Sequence, residues 1–111
     1  DVISGDDSLT LPMLVVGAKG VISVIANITP KEISQMVSYY HEGRERESQT
    51  IHLRLFPLMK ALFIETNPVP IKKAMGFMRM PAGKPRLPLV EMSKENAESL
   101  KKELLLLRLI K

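Results

Sequence analysis

Val21-Ile22-Ser23-Val24-Ile25 is the stretch that decides the fold. Four of its five residues are β-branched aliphatics, which favour extended backbone. The single polar residue does not produce the apolar–polar alternation of a strand with one wet face, so the run predicts a parallel strand covered on both faces. Reading backward, Gly17-Ala18-Lys19-Gly20 closes a preceding helix, with Gly17 suited to the left-handed position after its last turn. That helix is expected over Leu9–Val16, with Pro12 in the first turn, where a missing N–H costs little. Asp7-Ser8 can accept from its free N–H groups. Before it, Val2-Ile3 runs into Ser4-Gly5-Asp6-Asp7, which reads as the carboxyl end of a strand. The first thirty residues therefore read as a strand–helix–strand unit.

Reading forward, Thr29-Pro30-Lys31-Glu32 predicts a helix start: Thr29 as cap, Pro30 in the first position and Glu32 completing a capping box. Ile33, Met36, Val37 and Tyr40 share one stripe of that helix, and Gly43 ends it. A longer helix is expected from Arg44 to Ile64, with Ile51, Leu55, Leu58, Met59, Leu62 and Phe63 on its buried face. Pro57 inside it predicts a kink or a short break. Asn67-Pro68-Val69-Pro70 is a turn, and Pro70 opens a helix that runs to Phe77. Met80–Pro88 holds three prolines and a glycine in nine residues, which forbids regular structure. Ser93 caps a last helix whose stripe is Leu100, Leu104, Leu107 and Ile110. The organisation is thus two-part: residues 1–43 α/β, residues 44–111 all helical.

Composition narrows the function. With 111 residues, 45% hydrophobic and 25% charged, the chain is ordinary globular material rather than a disordered segment. It has no cysteine, so disulfides and thiolate metal sites are excluded. No run of consecutive aliphatic or aromatic residues is longer than four, as at Leu104–Leu107, far short of the ~20 residues that span a bilayer. No secretory signal is expected, since Asp1 opens an acidic, polar stretch with no basic flank. The net charge of +4 is spread among acidic residues, and aromatics are only 5%, so neither the basic stripe nor the stacking platform of a nucleic-acid binder is present.

In parallel α/β folds, sites lie at the carboxyl ends of strands. Two such ends are visible: Ser4-Gly5-Asp6-Asp7 and Val24-Ile25-Ala26-Asn27. Gly5 would let a ligand approach the backbone closely, and Ser4 and Asp6 could bind its polar groups. The alternative, that Asp6-Asp7 only cap the next helix, stays open. Asn27-Ile28-Thr29 matches a glycosylation triplet, but Thr29 is better used as a helix cap. His41 and His52 lie on different helices, read as surface residues, and no metal site is expected. The seven methionines read as core filler. There is no glycine-rich phosphate loop, nucleophile elbow or zinc-protease motif. No lysine falls on a strand, and Lys19 precedes its strand at the wrong end. Any Schiff-base lysine must therefore lie outside these residues.

Two parallel strands leave outward-facing N–H and C=O groups unpaired and need neighbours. A closed eight-stranded α/β barrel takes about 250 residues. The expected fold is accordingly α/β: the carboxyl-terminal part of a closed α/β barrel, followed by an all-helical appendage.

Several stretches, in order along the whole chain, resemble the dihydrodipicolinate synthase (4-hydroxy-tetrahydrodipicolinate synthase) family of the bacterial type. They are Ser4-Gly5-Asp6-Asp7, Gly20-Val21-Ile22-Ser23-Val24, Ala26-Asn27, the run Leu62-Phe63-Ile64-Glu65-Thr66-Asn67-Pro68-Val69-Pro70-Ile71-Lys72, and Arg86-Leu87-Pro88-Leu89. The resemblance implies a (β/α)8 TIM barrel, with these residues as strands 7 and 8 and the helical appendage, and a class I aldolase-type lyase that condenses pyruvate with L-aspartate 4-semialdehyde in lysine biosynthesis through diaminopimelate. A barrel lysine would form the Schiff base and a tyrosine would relay protons, both upstream of residue 1. It further implies no cofactor, a cytoplasmic homotetramer, and no nucleic-acid or membrane partner. Carried over by position, Ile22 contacts pyruvate, Gly5 lines the site with its backbone, Ser4 and Asp6 line the pocket, and Asn67 helps place the semialdehyde. The helix over Leu9–Val16 matches a tetramer face, so Leu14, Val15 or Val16 are candidates for burial between subunits. Two alternatives stay open: another pyruvate Schiff-base lyase, such as N-acetylneuraminate lyase or a sugar-acid aldolase, and a non-catalytic helical interaction module.

Overall fold

The computed structural model describes all residues, Asp1–Lys111. Two short strands, β1 (Ile3–Ser4) and β2 (Gly20–Val21), flank helix α1 (Thr10–Val15), and α2 (Pro30–His41), α3 (Glu45–Ala61), α4 (Val69–Phe77) and α5 (Lys94–Leu106) follow. The chain divides into two compact units, Asp1–Met59 and Lys60–Lys111. The change of class expected at Gly43 is a change of secondary structure, whereas most of α3 groups with the first unit. One reason is a buried bond from the Ser48 hydroxyl to the Met36 carbonyl, 2.7 Å, that fixes α3 to α2.

In the first unit the strands pair in parallel, with Ile3 opposite Gly20 and Ser4 opposite Val21. The ladder is extended by the Lys19 N–H to the Val2 carbonyl (2.8 Å) and the Ile22 N–H to the Ser4 carbonyl (2.9 Å). The βαβ reading is correct, but the strand expected over Val21–Ile25 stops at Val21, and Ile25–Asn27 forms a 3-10 turn. The Asp7 carboxylate takes the main-chain N–H groups of Val24 and Ile25, which turns the chain away from the extended path. Ile22 is also 79% exposed rather than covered on both faces, because within these residues β2 has one neighbour only.

A 3-10 turn, Asp7–Leu9, leads into α1. After α1 the Ala18 N–H reaches back to the Met13 carbonyl at 2.9 Å, closing the helix around Gly17 at φ +106. Leu14, Ala18, Ile25, Ile28, Ile33 and Met36 are buried, and each large one contributes about 1.5–3 kcal/mol of transfer free energy. Leu14 thus belongs to the chain's own core and is not a subunit contact, while Val15 and Val16 stay on the outside. Pro30 opens α2 as expected, but Thr29 makes no side-chain cap. Its hydroxyl instead donates to the Ile25 carbonyl at 3.2 Å, so the capping box does not form. Of the kink or short break expected at Pro57, the break does not occur: α3 runs through it as one helix.

In the second unit, α4 and α5 pack together. Leu62, Val69, Ile71, Ala74, Met92, Ala97, Leu100 and Leu104 are buried there. Pro70 sits in the first turn of α4. The Ser93 hydroxyl accepts from the Asn96 N–H, as its position predicts. Glu65 reinforces this start, accepting from the Ser93 N–H (3.1 Å) and the Asn96 side-chain amide (2.8 Å). The proline-rich stretch after Arg79 is irregular. Its path is held by Lys72, whose ammonium donates to the Ala82 and Lys84 carbonyls at 3.3 and 3.2 Å.

Candidate functional site at the carboxyl ends of the strands

Parallel pairing places the carboxyl ends of β1 and β2 side by side, and the Ile22 N–H bond to the Ser4 carbonyl locks that neighbourhood. Four of the five residues singled out from the sequence meet there: Ser4 at the end of β1, Gly5 and Asp6 just after it, and Ile22 just after β2. Gly5 is exposed, and nothing lies within 4 Å of where a Cβ would stand, so its backbone faces open space. Beside the end of β1, Ile22 offers a solvent-facing aliphatic side chain. A glycine backbone next to a branched aliphatic suits a small, partly apolar ligand.

Ser4 has a different position from the one its residue type suggested. It is 1% exposed. Its hydroxyl donates to the Asp6 carbonyl at 2.8 Å and accepts from the Asp6 N–H at 3.2 Å. The Thr10 hydroxyl approaches both the Ser4 Oγ, at 3.3 Å, and the Asp6 carbonyl, at 2.9 Å. Ser4 therefore shapes the loop from beneath. Asp6 is exposed and caps the 3-10 turn, its Oδ1 accepting from the Ser8 N–H (2.8 Å) and the Ser8 hydroxyl (2.7 Å).

Asp7 is the residue that sequence reasoning undervalued. It is 2% exposed and spans the two strand ends. Oδ2 accepts from the Val24 and Ile25 N–H groups, both at 2.9 Å, and Oδ1 accepts from the Ser23 hydroxyl. A helix start needs one cap, and Asp6 supplies it. The second aspartate in succession was the available signal that something else required a carboxylate.

The remaining candidates lie apart from this cluster in the chain. Asn67 belongs to the second unit, exposed in the turn before α4. His41 is exposed, its Nε2 3.0 Å from the Lys19 carbonyl oxygen. His52, expected at the surface, is 8% exposed, because it falls on the same face of α3 as buried Ser48 and Leu55. No lysine lies on either strand, and no helix is long and apolar enough to cross a membrane.

The family model described as the dihydrodipicolinate synthetase family matches residues 1–106. A 4-hydroxy-tetrahydrodipicolinate synthase of Methanococcus vannielii is 55% identical over 111 residues, covering 100% of this chain and 38% of that protein. Among solved structures, dihydrodipicolinate synthase from Aquifex aeolicus superposes with a TM-score of 0.94 at 49% identity, covering 98% of this chain and 37% of that one. The chloride-inhibited synthase of Acinetobacter baumannii complexed with pyruvate superposes with a TM-score of 0.91 at 34% identity, covering 98% and 38% respectively. This chain spans less than two-fifths of the length of each of these relatives. With the family model matched almost end to end, the chain belongs to the dihydrodipicolinate synthetase family.

Proposed function

We propose that these residues are the last two strand–helix units and the helical appendage of a (β/α)8 lyase. The whole protein condenses pyruvate with L-aspartate 4-semialdehyde to 4-hydroxy-tetrahydrodipicolinate, on the route to lysine through diaminopimelate. The observation that carries this reading is the parallel β1–β2 pair, whose carboxyl ends bring Gly5 and Ile22 together in a chain matched by that family. The pyruvate complex of the Acinetobacter relative, of matching fold, supports pyruvate as the ligand.

In this reading, Gly5 lets the keto acid lie against main chain and Ile22 covers its methyl end. Asp6 lines the rim, and Ser4 sets the shape of the loop from below. The role of Asn67 in placing the semialdehyde rests on the resemblance of its Asn-Pro-Val-Pro turn. The Schiff-base lysine belongs to the remainder of the protein, since neither strand here carries one. The exposed Val15 and Val16 on α1 suit contact between subunits of a cytoplasmic homotetramer. A free-standing helical module accords less well with the solvent-facing Val2, Ile3 and Ile22 around a two-stranded sheet.

The test is turnover by the intact protein. With pyruvate and aspartate semialdehyde, the heterocyclic product is expected. Formation of a pyruvate adduct without turnover of the semialdehyde, together with cleavage of N-acetylneuraminate, would transfer the protein to a sister activity.

A further inference from the structure

We infer that Asp7 is a positioning residue for the pyruvate-binding end of the barrel, acting through Ser23 and the turn that follows Ile22. This rests on the pyruvate-lyase reading above. The geometry is specific. Asp7 stands two residues after Gly5, and its carboxylate reaches across to Ser23, Val24 and Ile25, which directly follow Ile22. The Ser23 hydroxyl donates to Asp7 and accepts from the Ala26 N–H at 3.0 Å, so one side chain relays the clamp to the whole 3-10 turn. On the other side, the Asp7 carbonyl accepts from the Thr10 N–H and so belongs to the start of the next helix.

Main-chain bonding alone links Ile22 to β1 through one contact, its N–H to the Ser4 carbonyl. The strand does not continue past Val21 to hold it further. The direction in which Ile22 leaves the sheet is therefore set by the buried Asp7 carboxylate. A helix cap would not need to be buried, and Asp6 already caps the turn.

Asparagine has the same shape but one accepting oxygen. If that oxygen keeps the Val24 and Ile25 N–H groups, the amide NH2 faces Ser23. Ser23 already accepts from Ala26, so its own proton loses an acceptor there. The clamp loosens while the cavity stays filled.

The experiment uses the intact protein and its Asp7→Asn and Ser23→Ala variants. Steady-state constants are measured for both substrates, with the folded fraction from circular dichroism. Loss of one charge-assisted hydrogen bond corresponds to a change of about tenfold. Asp7→Asn is expected to raise the KM for pyruvate about tenfold with the KM for the semialdehyde little changed, and Ser23→Ala to raise the pyruvate KM less. A fall in kcat that tracks the folded fraction, with both KM values unaltered, would overturn the positioning role and leave Asp7 a purely structural residue. If Asp7→Asn does not fold, Ser23→Ala decides alone: a raised pyruvate KM supports the role and an unchanged one overturns it. A wild-type protein that neither forms a pyruvate adduct nor turns over the two substrates overturns the functional reading itself, whereas an active wild type with indifferent variants overturns only Asp7.

Discussion

His52 lies on the buried face of α3 with its Nδ1 enclosed and without a hydrogen-bond partner. Burial disfavours its charged form, so its pKa lies below the usual 6.5. The unfolded chain takes up a proton near that value and the folded chain only at lower pH. The stability tied to His52 is complete above pH 6.5 and is lost as pH falls from there toward the folded pKa. In the intact protein His52→Leu is expected to flatten the dependence of Tm on pH just below 6.5, and an unchanged slope would contradict the assignment. Gly17 makes a different residue-level demand. Its φ of +106 is one that L side chains rarely adopt, and no atom lies within 4 Å of a Cβ built there. The cost of Gly17→Ala is therefore backbone strain, not a clash, and is expected to be about 1 kcal/mol in denaturant unfolding. Gly17 was legible from its place after an apolar run. The burial of His52 was not, because its spacing from Leu55 marks a helix face but cannot say how wide the covered stripe is.

At the scale of elements, starts and stops were read better than extents. Ser93 is the clear case: its side chain accepts from the Asn96 N–H at the head of α5. Ser93→Ala is expected to destabilise the protein by about 1 kcal/mol, measured as a lowered denaturant midpoint with unchanged slope. Glu65 acts on the same helix start from outside it. Hydrogen bonds from the Asn96 side chain and then from Ser93 hold its carboxyl below the ordinary 4.5. A lowered carboxyl pKa contributes stability that is complete above the unfolded value and disappears as pH drops through the folded one. Glu65→Gln should therefore reduce the loss of thermal stability between neutral pH and pH below 4.5, and melts of both proteins across that range check it. The strand over Val21–Ile25 shows where local reading runs out. Its residues are strand formers, yet the Asp7 carboxylate, seventeen and eighteen residues back, takes the N–H groups of Val24 and Ile25 and ends the strand. The capping box at Thr29 failed for a similar reason, since its hydroxyl found the Ile25 carbonyl instead. Competing hydrogen bonds from outside the segment decided both.

For the molecule as a whole, the parallel pair and its orphan edges were legible, because parallel strands are stable only inside larger sheets. The surface agrees: Val2, Ile3, Val16 and Ile22 all face solvent within these residues, Val16 at 84%. The polypeptide of residues 1–111, prepared alone, is expected to melt without a sharp cooperative transition, since too much of its apolar surface lacks a partner. Circular dichroism at low concentration checks this, and a sharp, concentration-independent transition would contradict it. The candidate site was half legible. Strand-end position pointed to Ser4, Gly5, Asp6 and Ile22, but only the fold separates the open Gly5 and Ile22 from the buried Ser4.

In the proposed function these strand ends form the wall of a pyruvate pocket whose reactive amine lies outside residues 1–111. Borohydride reduction of the intact protein with pyruvate, followed by peptide mapping, tests this most directly. The expected result is a single reduced adduct on a lysine outside residues 1–111. A stoichiometric adduct on any lysine between Lys19 and Lys111 would contradict it.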